Sequence, residues 1–169
     1  MYKIRVILDT EKDVIRTILV DPSINLQTLH AIIAGSFGFN GSEMASFYLT
    51  DDQWNQGEEI PLFNMSESGE GLSMQDCFIK KILPNVADKL IYVYDYLNMW
   101  TFYVETIDIS ENSSENSLPK TILSVGEIPD EVPEKKFKAA PLEDDLDNDF
   151  EDDFRNDFES LDSIDFDQY

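Results

Sequence analysis

Cysteine and histidine are almost absent from this sequence. Its 169 residues hold one cysteine, Cys77, and one histidine, His30. A single thiol excludes an internal disulfide and a cysteine-rich zinc site. Basic residues are also scarce, with 12 Lys and Arg against 35 Asp and Glu and a formal net charge of −23. The longest basic runs, Lys80-Lys81 and Lys135-Lys136, are too short to make a patch for a phosphate backbone, so direct nucleic-acid binding is not expected. No apolar run approaches the ~18 residues of a membrane span, and residues 1–10 lack the apolar h-region of a signal peptide. The expected location is cytoplasmic. Nucleophile–base pairs, phosphate loops and dinucleotide fingerprints are not visible either, so no catalytic residue and no cofactor is assigned.

What is abundant is acid, and it is unevenly placed. Residues 141–169 carry 13 of the 35 acidic residues and one Arg. Within them Leu142, Leu146, Phe150, Phe154 and Phe158 recur every fourth residue. A four-residue period drifts around a helix by about 40° per repeat, so no coiled-coil seam forms. Acidic–hydrophobic alternation suits an amphipathic segment that folds on a partner, with Phe150, Phe154 and Phe158 as docking anchors. Packing of one helical face on the domain is the alternative. The reading is an α+β domain over residues 1–130, followed by a linker and an acidic tail over 131–169, disordered or helical.

Along the domain, alternation predicts strands over residues 2–8 and 14–20, joined as a hairpin. Asn25 is placed to cap a helix running from Leu26 to about Phe37, with Leu26, Leu29, Ile33 and Phe37 as its core stripe. His30 flanks that stripe and reads as a bystander. A third strand is predicted over 45–50, an irregular loop over 51–71, and a short helix over 72–78 with Ser73 and Asp76 as a capping box and Leu72 and Phe78 buried. In the loop, Trp54, Ile60, Leu62 and Phe63 read as apolar anchors. Residues 90–109 read as an antiparallel hairpin, with Ile91 and Val93 on one face and Tyr92, Tyr94 and Tyr96 on the other. Thr121–Val125 reads as an edge strand. The element order implies a mixed β-sheet packed on one main helix, in a β-grasp-like layout.

Residues 94–100, Tyr-Asp-Tyr-Leu-Asn-Met-Trp, resemble the aromatic-Asp-Phe-Gly-Asp-x-Trp-x-His signature of the plasmid pRiA4b ORF-3-like family, also labelled insertion-element passenger or TnpR-family proteins. Supporting features are the N-terminal hairpin, Leu-x-x-Leu-His-x-x-Ile leading to Phe-Gly-Phe at residues 26–39, and Ser46-Phe47-Tyr48. The resemblance spans roughly residues 1–130. Asp95 and Trp100 match the signature. Leu97 stands for its glycine, Asn98 for its second aspartate and Phe102 for its histidine. A later Gly-x-x-x-x-Pro-Pro-Glu-Asp element corresponds at best to residues 126–131.

Two functional classes follow. In the first, the chain is a non-enzymatic binding module. Its tail docks a basic or apolar protein, and its aromatic surface includes Tyr94, Asp95, Tyr96, Asn98, Trp100 and Trp54. In the second, Asp95 joins Asp51, Asp52, Glu58 and Glu59 to bind a divalent cation or to do hydrolase-like acid–base work, since carboxylates and loop carbonyls suit Mg²⁺ or Ca²⁺. A third reading treats the tail as a mimic of nucleic-acid charge. At the level of single side chains, Asp95 reads as a turn cap and Cys77 as a small buried hydrophobe.

Overall fold

The computed structural model describes residues 1–66, 69–111 and 117–132. Tyr2–Leu8 (β1) and Ile15–Val20 (β2) pair as the first hairpin, with Ile4 opposite Ile18. The chain then enters the main helix, Leu26–Ser36 (α1). Asn25 starts it by accepting from the Thr28 amide at 2.9 Å, which satisfies one of the donors a helix N-terminus leaves free. Gly38 ends it with a positive φ of 83°. The amides of Gly38 and Phe39 donate back to the carbonyls of Gly35 and Ala34, the paired bonds of a Schellman stop.

Ala45–Thr50 (β3) and Gln56–Pro61 (β4) make a second hairpin, and Lys89–Tyr94 (β5) and Trp100–Ile109 (β6) a third. A four-residue helix, Ile79–Ile82 (α2), precedes β5, and Lys120–Val125 (β7) completes the sheet. The strands lie in the order β4-β3-β5-β6-β1-β2-β7.

Every pairing is antiparallel, which corrects the expected mixed sheet and its β-grasp-like layout. Hairpins supply three of the pairs. The long connections also return each strand antiparallel to its new neighbour, β3 on β5 and β6 on β1. The coarser expectation, an α+β fold with one main helix on a sheet, stands.

The helix packs on one face only. Leu26, Leu29 and Ile33 are fully buried in one cluster with Ile4, Val6, Phe47, Tyr92, Phe102 and Val104. Each such side chain contributes about 1.5–3 kcal/mol relative to exposure. Arg16 also faces this side. Its Nη1 donates to the Val125 carbonyl at 2.8 Å and its Nε to the Ser36 carbonyl at 3.1 Å, while the guanidinium sits 4.9 Å from the Phe37 ring centroid. One side chain thus ties the end of β7 to the end of α1.

Local differences from the sequence reading have physical causes. Residues 56–61 form a strand where a loop was expected. Gln-Gly-Glu-Glu carries no alternation, and the strand exists through its pairing with β3, Glu59 opposite Tyr48. Residues 72–78 do not form a helix. The Ser73 amide and hydroxyl do donate to Asp76 Oδ2, at 3.1 and 2.7 Å, but the turn they close leads directly into α2. Leu72, Phe78 and Phe63 are exposed, contrary to expectation; Ile60, Leu62 and Cys77 are buried as expected, and Met74 is buried with them.

The chain divides into two units, Met1–Glu134 and Lys135–Tyr169. The tail expectation, with Phe150, Phe154 and Phe158, falls on the second unit and lies outside the described residues. Among the described residues no helix is long and apolar enough to cross a membrane.

Candidate functional site

The turn between β5 and β6 is built by Asp95. Its backbone adopts φ 60°, a left-handed conformation that Asp tolerates better than most residues because its short side chain bonds locally. Asp95 Oδ1 accepts from the amides of Leu97 at 3.1 Å and Asn98 at 3.4 Å, and Oδ2 accepts from Asn98 Nδ2 at 2.6 Å. The Asn98 side-chain bond leads the causes that hold this carboxyl below its ordinary range. The turn-cap reading of Asp95 therefore holds.

The positive φ also moves the next side chain. Tyr96 was expected to share a face with Tyr92 and Tyr94. Instead its hydroxyl meets Ser46 Oγ and lies 3.4 Å from Glu59 Oε1, on the face away from α1. Ser46 Oγ donates to the same Glu59 oxygen at 2.6 Å. Burial first, then the Glu59 charge, raises the Tyr48 hydroxyl above its ordinary value. Ser46, Tyr48, Tyr96 and Glu59 so form one hydroxyl–carboxylate cluster. The reading of the sequence missed Ser46 and Tyr48. Their signal was the alternation of β3, which sets both opposite Phe47.

Tyr94 and Trp100 face the other way. Tyr94 is buried and donates its hydroxyl to Asn40 Oδ1 at 3.1 Å. Trp100 packs on Phe39 with ring centroids 5.4 Å apart. Trp54 lies at the far end of the sheet, with φ 64°. Its ring meets Tyr103 edge-on at 4.9 Å, and Lys89 Nζ sits 5.2 Å from its centroid. The six residues expected to share one surface therefore separate into core, turn and open-face positions.

The proposed carboxylate constellation separates too. Asp51 caps its own turn, accepting from Gln53 and Asn55 amides at 2.9 and 3.0 Å and from Asn55 Nδ2 at 2.7 Å. It follows β3 near Leu90, whereas Asp95 donates its amide to the Met44 carbonyl before β3 begins. The length of the strand, roughly 20 Å, lies between them. Asp52 offers its backbone carbonyl to Lys89 Nζ at 2.9 Å, and Glu58 and Glu59 alternate across β4. Among the described residues, no group of three or more His, Cys, Asp or Glu is arranged to hold a metal ion.

His30 is buried, with Nδ1 2.7 Å from the Tyr92 hydroxyl and Nε2 3.2 Å from the Gly41 carbonyl. Desolvation lowers its pKa, so the imidazole is neutral and belongs to the core. Cys77 is buried and its thiol is pushed up, first by that burial, which keeps it protonated and unreactive. A pocket of about 440 Å³ lies beside the signature turn, lined by Asn98, Trp100, Asp130, Glu131 and Val132. It brings the Asn98–Trp100 end of the hairpin against the segment that follows Gly126.

Residues 1–135 match the protein family described as plasmid pRiA4b ORF-3-like protein. The chain belongs to the plasmid pRiA4b ORF-3-like family. In this family's terms, the pocket joins the signature to the later acidic element. The structure also gives physical content to the departures at Asn98 and Phe102. An amide at 98 donates where a second carboxylate would repel Asp95. Phe102 is buried against Phe37 at 4.8 Å between centroids, so the position of the family histidine faces α1 and not the turn. The fold resembles the crystal structure of a protein of unknown function, MM3350, from Methanosarcina mazei Go1. The TM-score is 0.61 at 16% identity, covering 73% of this chain and 68% of that one. No curated protein matches the chain.

Proposed function

We propose that this member of the family is a non-enzymatic binding module. The observation that carries the reading is a sheet face with no helix over it among the described residues. α1 buries one side of the seven strands, and among the described residues no helix lies over the other. That side presents a row crossing all seven strands: Val125, Ile15, Ile7, Tyr103, Ile91, Tyr48 and Glu59, each opposite the next. Val125 and Glu59 at its ends are exposed, Ile15, Ile7, Tyr103 and Tyr48 are half-buried, and Ile91 is buried; exposed apolar patches mark interaction surfaces and binding grooves. The side chains with chemical potential support the same reading. Asp95 and Asp51 are committed to their turns, His30 is neutral in the core, and the Cys77 thiol is protonated.

In this reading residues 141–169 provide the second contact. Their carboxylates and phenylalanines dock a protein with a basic or apolar surface. The experiment is calorimetric titration of the full chain with a Lys/Leu amphipathic peptide, beside a chain lacking residues 141–169. Loss of binding on deletion, with an unchanged thermal midpoint, is the expected result. Undiminished binding by the shortened chain refutes the role of the tail.

A further inference from the structure

The face without a helix is not electrically uniform. On its β7-β2-β1 half, nine side chains form a three-by-three grid fixed by strand register. Lys120, Leu19 and Lys3 make the first row, Leu123, Thr17 and Arg5 the second, and Val125, Ile15 and Ile7 the third. Three of the nine are cations and none is a carboxylate, in a chain of net charge −23. The remainder is almost wholly aliphatic. Leu123 and Val125 are 46% and 39% exposed, Ile7 and Ile15 are half-buried, and Thr17 and Leu19 in the middle of the grid are buried. The first acids met across β1 are Glu105, whose Oε2 is 4.0 Å from Arg5 Nη1, and Asp108 opposite Lys3.

We propose that this patch docks an acidic segment carrying apolar anchors, supplied by a partner protein. Charge decides the class of partner. The chain's net negative charge repels an approaching carboxylate and a gathering of cations attracts it, so the patch is one place where an acidic ligand can settle. The aliphatic rows decide the rest, because a purely polar acid would leave Leu123, Val125, Ile7 and Ile15 against water. The edge strand β7 extends the surface, since every one of its residues is exposed. The opposite edge is unlike it: Glu58 and Glu59 guard β4 with charge, and Pro61 ends it. This surface is distinct from capture of a basic partner by residues 141–169 and stands whether or not that reading does.

The probe is a fluorescein-labelled peptide with the sequence of residues 141–169, which has the required chemistry. Anisotropy titrations use the full chain and, so that competition within the molecule cannot hide the patch, the full chain carrying Phe150→Ala, Phe154→Ala and Phe158→Ala. Binding to both chains is expected; binding to the triply substituted chain alone would assign the patch to the chain's own residues 141–169 and overturn a partner protein as its occupant. Binding should weaken at least tenfold in Lys3→Glu/Arg5→Glu/Lys120→Glu and in Leu123→Ser, with circular dichroism unchanged, and at least tenfold between low and high salt for the wild-type patch. Absence of binding to both chains, or binding indifferent to the charge reversals, overturns the proposal. Self-association in light scattering that the charge reversals abolish assigns the patch to a second copy and overturns it as well.

Discussion

The two faces of this sheet are made from the same strands and have different surroundings. On β6, Phe102 is buried against Phe37 and Tyr92, while its neighbour Tyr103 lies half-buried on the other face beneath Trp54. On β1, Ile4 and Val6 are fully buried, and Arg5 between them is exposed. A period of two is enough to give one strand a stabilising side and a presenting side. The proposed binding role lies not among the signature residues, most of which build the turn and the core, but on the side they hold up.

The strongest way to break the comparison is to truncate adjacent residues on one strand. Phe102→Ala should cost about 3–5 kcal/mol in chemical denaturation, because it opens a cavity under α1. Tyr103→Ala should cost roughly 1 kcal/mol, the scale of one aromatic pair. Equal losses would mean that the second face is also core.

His30 sharpens the buried side. His30→Leu leaves the Tyr92 hydroxyl without its partner and should cost about 1–3 kcal/mol. The wild type also carries a pH signature. Burial lowers the folded pKa of His30 from the ordinary 6.5, so below 6.5 the unfolded chain takes up a proton that the folded chain resists. Stability should therefore fall as pH drops from 6.5 toward the lowered value and be flat above it. In His30→Leu that slope should vanish, as denaturant midpoints across pH 5–7.5 will show.

The signature turn comes next. Asp95→Ala removes the acceptor that the turn is built on and should cost about 1 kcal/mol. Asn98→Asp sets two carboxylates where Asn98 Nδ2 now lies 2.6 Å from Asp95 Oδ2. One of them should then titrate above the usual carboxylate range, visible in side-chain carboxyl NMR shifts. The smallest effect belongs to the open face. Lys3→Glu, Arg5→Glu and Lys120→Glu should each alter stability by less than about 0.5 kcal/mol while changing what the patch binds.

Much of this architecture was legible in the sequence because it is local. The spacing of Leu26, Leu29 and Ile33, the Asn25 cap and the Gly38 stop state the helix outright. Alternation states β1, β3 and β6, and Asp95 is recognisable as a turn residue from its place between two strands. What was not legible depends on pairing. β4 has no pattern of its own and exists because β3 offers an edge. The antiparallel sense of the whole sheet depends on where β3 and β6 return. The grouping of Lys3, Arg5 and Lys120 requires the register of three strands, two of them a hundred residues from the third. The side taken by Tyr96 depends on one backbone angle, φ 60° at Asp95.

The most direct test of the account is ¹⁵N chemical-shift mapping of the full chain titrated with the acidic peptide of residues 141–169. The account predicts shifts on β7, β2 and β1, at Lys3, Arg5, Ile7, Ile15, Thr17 and Leu123, with the amides of Asp95, Leu97 and Asn98 unmoved. Shifts gathered instead at the signature turn and at Asp130 and Glu131 would contradict it, placing the binding surface back in the motif.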